Sequence, residues 1–307
     1  MTDRIGGKVV AITGAARGIG YATARALRDR GARVVIGDRD VAVLESAVQS
    51  LGDGVRGYPL DVTDRDSFAV FLDEARGGGH VDVLINNAGV MPIGGFLDQG
   101  EQALRSAIEV NFYGVVTGCQ LVLPEMIERG AGHIVNVASL AGLMPVPGQT
   151  VYAGTKSAVI SLSSAMSDEF AARGIQVSVV MPPFTRTELI SGTAQTRSNR
   201  PVEPPAIAAA IVRTLDKPKT HVTVPGGIRF VLGPIGLLGP RGRRWVGRRF
   251  GTDKVFLEFD TTARSGYEQR AQDALGVVST EQRGADGEYS DDGRCREGAG
   301  GPEGLYR

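Results

Sequence analysis

Short runs of apolar, mostly β-branched residues recur along this chain, and stretches long enough for a helix separate most of them. Val9-Val10-Ala11-Ile12 is the first run and Arg33-Val34-Val35-Ile36 the second. A third ends near Leu60-Asp61, and Val83-Leu84-Ile85, Ile134-Val135-Asn136-Val137, Val177-Ser178-Val179-Val180 and His221-Val222-Thr223-Val224 follow. Helical patterns fill residues 18–30, 40–51, 101–129, 150–173 and about 204–216; in the first, Ile19, Ala22, Ala26 and Leu27 share one side. Strands apolar along their whole length need cover on both faces, and strands separated by helices pair in parallel. Right-handed crossovers then predict an α/β fold: a Rossmann-like doubly wound parallel sheet of about seven strands, helices on both faces, in a single domain.

The chain has 307 residues, enough to bury one large α/β core. Lys+Arg and Asp+Glu both number 34, so no global charge favours nucleic acid, and no nucleic-acid partner is expected. Cys119 and Cys295 lie in unlike surroundings and do not read as a disulfide framework. His80, His133 and His221 have no companion at ligand spacing, so no metal site is expected. The amino-terminal residues lack a signal-peptide pattern, and no apolar run reaches the roughly 18–20 residues that span a bilayer. A cytoplasmic location follows as the expectation. Residues 1–227 read as the nucleotide-binding and catalytic domain, 228–275 as an extension packed on it, and 276–307, rich in Gly, Glu, Arg and Asp, as a disordered tail.

Between the first strand and first helix runs Thr13-Gly14-Ala15-Ala16-Arg17-Gly18-Ile19-Gly20. Glycines allow a tight turn and close approach of backbone to a ligand. The helix N-terminus beyond them offers free N–H groups and partial positive charge to a pyrophosphate. The spacing, Gly-x-x-x-Gly-x-Gly, is one residue off the usual dinucleotide fingerprint, but its place between strand and helix supports that reading over an ordinary glycine-rich loop. Asp38 ends the second strand, where an acid accepts hydrogen bonds from ribose hydroxyls and repels a 2′-phosphate. That favours NAD, with NADP kept open because Arg17 or Arg39 could pair with a phosphate. Helix N-capping is the plainer role for Asp38, but Asp40 suits it better.

Tyr152 and Lys156 stand four apart at the start of a helical pattern and so share a face. A lysine cation beside a phenol should draw its pKa down from about 10, and a phenol so tuned can exchange a proton with a carbonyl or an alcohol. Ser139 ends the fifth strand at the edge where such sheets bind ligands, and its hydroxyl can donate to the same oxygen. Singly, each feature is commonplace.

Together these motifs resemble the short-chain dehydrogenase/reductase family, from about Gly7 to Gly227. Asn86-Asn87-Ala88-Gly89, Asp61-Val62 and the Asn111 of Val110-Asn111-Phe112 extend the match. The resemblance implies hydride transfer between nicotinamide and a carbonyl or secondary alcohol carbon. It implies a catalytic set of Asn111, Ser139, Tyr152 and Lys156, with Tyr152 the acid or base, Lys156 also holding the nicotinamide ribose, Ser139 polarising the substrate oxygen, and Asn111 holding a water that links Lys156 to solvent. Cofactor contacts are expected from Gly14, Arg17, Gly18, Ile19, Gly20, Asp38, Asp61, Val62, Asn87, Tyr152, Lys156 and Thr187. One departure stands out: Pro183 replaces the glycine usual after Pro182, which stiffens the loop leading to Thr187. A homodimer or homotetramer is also implied.

The uncharged loop 140–149, with Leu140, Met144 and Val146, suits a lipophilic alcohol or ketone. The chain continues past Gly227, as do family members that handle steroids, retinoids and other lipids. Apolar residues from Ile228 to Leu238, then Arg241, Arg243, Arg244, Trp245, Arg248 and Arg249, read as a lid or subunit contact, or as peripheral membrane contact through 228–250. Val255 to Ala274 is expected to pack back as a last helix. Two other functions stay open: an NADPH-dependent 3-oxoacyl thioester reductase, which Asp38 disfavours, and a non-catalytic NAD-sensing protein, which has no use for the Tyr152–Lys156 pair.

Overall fold

The computed structural model of the chain describes residues 4–193, 201–228, 239–252 and 254–273. Seven strands form one sheet: β1 Val9–Thr13, β2 Arg33–Asp38, β3 Val55–Pro59, β4 Val83–Asn86, β5 Gly132–Val137, β6 Ile175–Met181 and β7 His221–Thr223. Their order is β3-β2-β1-β4-β5-β6-β7 and every pairing is parallel. The order reverses between β1 and β4, and successive crossovers leave in opposite directions there. A crevice therefore opens at the carboxyl ends of these two strands.

Alternation along each strand divides the core. Val10, Ile12, Val34, Ile36, Val83 and Ile85 point to one face, where α1 (Gly18–Arg28), α2 (Val41–Leu51) and α7 (Pro204–Asp216) cover them. Ala11, Val35 and Leu84 point to the other, under α3 (Arg65–Arg76), α5 (Gly114–Arg129) and α6 (Thr150–Phe170). Asp40 caps α2 by accepting from the Val43 N–H.

Helix α3 is absent from the sequence reading. Its buried residues Phe68, Phe71, Leu72 and Ala75 keep helical spacing, but charged residues crowd between them. The Asp64 carboxylate caps it by accepting from the Asp66 and Ser67 N–H groups, and left-handed Gly77 ends it. The long pattern over 101–129 is not uniform either. It comprises α4 (Glu101–Ile108), a π-helical turn at Glu109–Tyr113, and α5. The wider turn buries Asn111 completely. Contrary to the sequence expectation, this continuous run is long and apolar enough to cross a bilayer, yet half of its most apolar window is buried within the fold. Val115, Cys119, Val122 and Met126 pack there in the core.

Beyond the sheet, α8 (Pro240–Phe250) carries the arginines and α9 (Thr261–Asp273) is the last described helix; it begins at Thr261 rather than at the expected Val255, because residues 254–260 form turns and an isolated bridge. Residues 229–238 of the apolar segment, and the expected tail 276–307 with Cys295, lie outside the described residues.

Phe68 is fully buried under the sheet and packs edge-on to Phe71, with ring centroids 6.3 Å apart. Phe68→Ala should destabilise the fold by about 3–5 kcal/mol, read by denaturant unfolding; a loss below about 1 kcal/mol would contradict this packing.

Candidate active site

The turn after β1 is shaped by contacts that leave no room for side chains. A Cβ on Gly14, at φ +61°, would lie 2.6 Å from the Ala88 Cα, and one on Gly20 would lie 2.6 Å from the Gly14 carbonyl oxygen. Gly18, at φ +59°, faces the Thr187 methyl, 3.2 Å from its own missing Cβ. Asn87 clamps the turn. Its side-chain amide donates to the Thr13 and Gly14 carbonyls at 2.9 and 2.8 Å, while the Asn87 and Ala88 N–H groups donate to Thr13 Oγ1, each at 3.0 Å. Helix α1 has no side-chain cap and no acid in its first turn. Its N-terminus thus keeps N–H groups and partial positive charge for an anion, and the bare glycines make a cradle that a Cβ would fill. These features fit the diphosphate of a dinucleotide.

The end of the crevice at β2 and the loop after β3 is acidic. Asp38 lines the crevice, and its carboxylate accepts from the Ala16 N–H at 3.0 Å and the Asp40 N–H at 3.2 Å. Asp61 and Val62 line the same crevice; Asp61 accepts from the Thr63 N–H at 2.9 Å and pairs with Arg39 at 3.3 Å. Arg17 meets Asp40 at 2.5 Å and Glu188 at 2.9 Å. Both arginines that sequence offered as phosphate partners are therefore paired with carboxylates.

The crevice continues into a cavity of about 1570 Å³ that reaches Ser139, Tyr152 and Lys156, so one continuous space takes in the glycine turn and the hydroxyl cluster. Ile19, Asn87 and Thr187 also line it. Pro182 and Pro183 lie on its wall: the Pro182 carbonyl accepts from the Leu140 N–H at 2.9 Å and that of Pro183 from Thr185 Oγ1 at 2.9 Å.

Tyr152 and Lys156 sit on the first turns of α6, and both are buried. The Lys156 ammonium donates to the Val137 carbonyl at 2.9 Å and lies 5.8 Å from the Tyr152 ring centroid. Burial pushes its pKa down to about 8. Tyr152 does not follow the sequence expectation. Burial pushes its pKa up to about 12, opposed by hydrogen bonding to Ser139. Loss of water around the phenolate dominates, and Lys156 is not among the groups that offset it. At neutral pH the phenol is a proton donor in waiting. Ser139 also accepts from the Ala141 N–H at 3.1 Å.

Asn111 is tied to the loop after β4. Its amide donates to the Val90 carbonyl and accepts from the Val90 N–H, both at 2.8 Å, and reaches Thr155 Oγ1 at 3.3 Å. Gly89 separates it from the lysine: a Cβ there would lie 3.2 Å from Asn111 Oδ1 and 3.4 Å from Lys156 Nζ. The missing side chain lets these two polar groups converge.

Sequence reasoning missed Glu188, Gln149, Phe184, Tyr267 and Arg270, all of which line the cavity. Glu188 bridges Arg17 and Arg270, the latter at 3.1 Å. No local pattern marks these residues, because they meet only in three dimensions. Cys119 is buried against Asn86 and Asn136, its thiol pushed up to about 12 by burial, which marks it as core. Among the described residues no cluster of metal-ligand type exists.

A doubly wound parallel sheet, with a glycine cradle after β1 and a buried Tyr–Lys pair on the same crevice, defines a Rossmann-type oxidoreductase. Residues 8–198 match the family described as short chain dehydrogenase, and the chain belongs to that family. It is similar to an uncharacterized oxidoreductase of Staphylococcus aureus, 33% identical over 219 residues that span 71% of this chain and 94% of the relative. A 3-oxoacyl-[acyl-carrier-protein] reductase of Thermotoga maritima is 39% identical over 191 residues, 61% of this chain and 77% of that protein. Among solved structures, a short chain dehydrogenase/reductase from Burkholderia phymatum in complex with NAD has a TM-score of 0.69 at 26% identity, covering 75% of this chain and 92% of that one. A 3-ketoacyl-(acyl-carrier-protein) reductase from Brucella melitensis complexed with NADH gives 0.66 at 28%, covering 72% and 97%.

The depressed Lys156 pKa has a stability consequence. The ammonium pKa in the fold, about 8, lies below the ordinary value of 10.5. The unfolded chain therefore binds more protons between these values, and stability rises with pH across that window. In Lys156→Met this contribution should vanish, so wild type should gain on the variant from pH 8 to pH 10 in denaturant melts. A constant difference would contradict the buried ammonium.

Proposed function

We propose that this protein is an NAD-dependent dehydrogenase or ketone reductase for a lipophilic substrate. The observation that carries the reading is the single cavity joining the glycine cradle at Gly14 and Gly18 to Ser139, Tyr152 and Lys156. NAD(H), when bound, supplies or accepts the hydride, and the protein supplies orientation and electrostatics. In carbonyl reduction Tyr152 gives its phenolic proton to the oxygen, and in alcohol oxidation it takes that proton back. Ser139 donates a hydrogen bond to the same oxygen and holds it against Tyr152. Lys156 holds the nicotinamide ribose and, through the gap at Gly89, exchanges protons by way of a water held by Asn111. Asp38 accepts from the adenosine ribose hydroxyls, with Asp61 and Val62 beside the adenine. The pairing of Arg17 with Asp40 and Glu188, and of Arg39 with Asp61, supports NAD over NADP, since a 2′-phosphate would meet carboxylates at either guanidinium. Met144, Val146, Phe184 and Leu189 on the cavity wall support a lipophilic substrate.

The relatives that reduce 3-oxoacyl carrier-protein substrates favour a second reading, reduction of a 3-oxoacyl thioester with NADPH. A comparison of initial rates separates the two: NADH with lipophilic ketones, against NADPH with a 3-oxoacyl thioester.

The chain also carries features of a surface-bound protein. Exposed residues of α8 are Arg241, Arg244, Trp245, Arg248 and Arg249, which recur at the spacing of one helix face. None lines the cavity. This supports peripheral contact with anionic lipid over a lid role for these side chains. Exposed Ile108 and Tyr113 on α4 and the π turn support a homodimer or homotetramer.

Tyr152→Phe should lower kcat by at least about a thousandfold, the scale of a lost general acid, while NADH binding stays within about twofold. Near-normal turnover in this variant would refute the proton-transfer role. The protein should co-sediment with anionic phospholipid vesicles at low ionic strength and be released at high salt; equal binding to neutral vesicles would contradict the α8 contact.

A further inference from the structure

Helix α9 lies beyond the family match, which ends at residue 198. Yet the segment that leads into it is fitted against three loops around Tyr152. Each loop places a glycine at positive φ against that segment. A Cβ on Gly148 (φ +84°) would lie 2.5 Å from the Phe256 carbonyl oxygen, and one on Gly192 (φ +74°) would lie 2.4 Å from that of Asp260. At Gly94 (φ +122°) the Phe259 ring stands 3.6 Å from the same position. The Asp260 N–H donates to the Gly192 carbonyl at 2.9 Å. Val255 and Phe256 share an apolar cluster with Met91, Ile93 and Tyr152 itself.

Arg264 then anchors α9. It is fully buried, pairs with Glu268 at 3.0 Å, and donates to the carbonyls of Met91, Leu189 (2.9 Å) and Ser191 (3.2 Å). Its guanidinium lies 4.7 Å from the Tyr267 ring centroid. A buried cation satisfied on every side holds one geometry, and here it fixes the Tyr267 ring against the cavity. The Tyr267 oxygen accepts from the Met91 N–H at 2.8 Å. That bond uses a lone pair and leaves the hydroxyl proton to donate; among the described residues it makes no hydrogen bond as a donor, although the Glu188 and Glu268 carboxylates stand near enough to disfavour its phenolate. Tyr267 lines the same cavity as Tyr152. The two phenols are near enough that Tyr267 disfavours the Tyr152 phenolate.

We propose that Tyr267 is a specificity-determining residue whose hydroxyl donates a hydrogen bond to a second oxygen of the substrate, other than the oxygen handled at Tyr152. The preferred substrate class is therefore an otherwise apolar ketone or alcohol bearing another carbonyl, ether or hydroxyl oxygen. This rests on the oxidoreductase reading above. The physical basis is asymmetric selection: a buried donor left without an acceptor disfavours a singly oxygenated ligand, whereas extra apolar carbon is tolerated.

The test uses the full chain and its Tyr267→Phe variant, which keeps the ring under Arg264 and removes only the hydroxyl. The probes are a medium-chain methyl ketone and diketones of equal length with varied spacing. Binding is read by NADH fluorescence and by the shift in Tm, either of which ranks the ligands without turnover, and kcat/KM is measured alongside. At least one diketone should bind wild type about tenfold tighter than the monoketone, the scale of one hydrogen bond. That advantage should disappear in Tyr267→Phe, with monoketone affinity equal to or greater than that of wild type. Wild type that binds no diketone better than the monoketone overturns the proposal. So does a variant that weakens both classes equally, because a purely structural role for the Met91–Tyr267 bond would do that. A diketone preference without turnover of any ketone leaves Tyr267 standing and refutes the redox reading instead.

Discussion

The clamp between the first and fourth strands sets the terms for everything at the site. Asn87 holds the Thr13 and Gly14 carbonyls, and Thr13 Oγ1 in turn receives the Asn87 and Ala88 N–H groups. Only glycine at position 14 lets the two backbones come that close. The contact joins strands adjacent in the sheet but distant in sequence, at the point where the strand order reverses. It fixes the lip of the crevice, aims the α1 N-terminus into it, and starts the loop that carries Gly89, Val90 and Met91 toward Lys156 and Tyr267.

From that lip the site grows by burial. Lys156 and Tyr152 are brought together on α6 and enclosed by loops after β4, β5 and β6, and the enclosure changes their chemistry. Water loss pushes the lysine down to about 8 and the tyrosine up to about 12, so both are driven toward their neutral forms. A neutral phenol beside Ser139 is a donor suited to a carbonyl oxygen. The far wall is closed by residues 255–273, seated on Gly94, Gly148 and Gly192 and fastened by Arg264.

Much of this was legible from the amino-acid order. The sheet could be read because most of its strands are apolar along their length, β3 being the exception, and the cradle because Gly14, Gly18 and Gly20 fall between a strand and a helix. Helix α3 escaped because charged residues crowd both ends of its short apolar stretch, residues 68–72, although Asp64 and Gly77 mark the limits of the helix. The Tyr152 pKa ran opposite to expectation because helical spacing reveals the neighbouring cation but not the depth of burial. Tyr267, Arg264 and Glu188 carried no signal, since α9 is polar in sequence and its partners on other elements lie more than 70 positions away. Linear pattern reports the scaffold, and the enclosing wall depends on which loops meet.

The central claim is direct hydride transfer between a nicotinamide and a substrate carbon in the cavity at Tyr152. Nicotinamide-deuterated NADH, incubated with the protein and a lipophilic ketone, tests it most directly by mass spectrometry of the alcohol. Hydride transfer at this site predicts one deuterium on the new carbinol carbon from one face of the cofactor only. Alcohol that carries no deuterium, or a label lost to solvent, would contradict it.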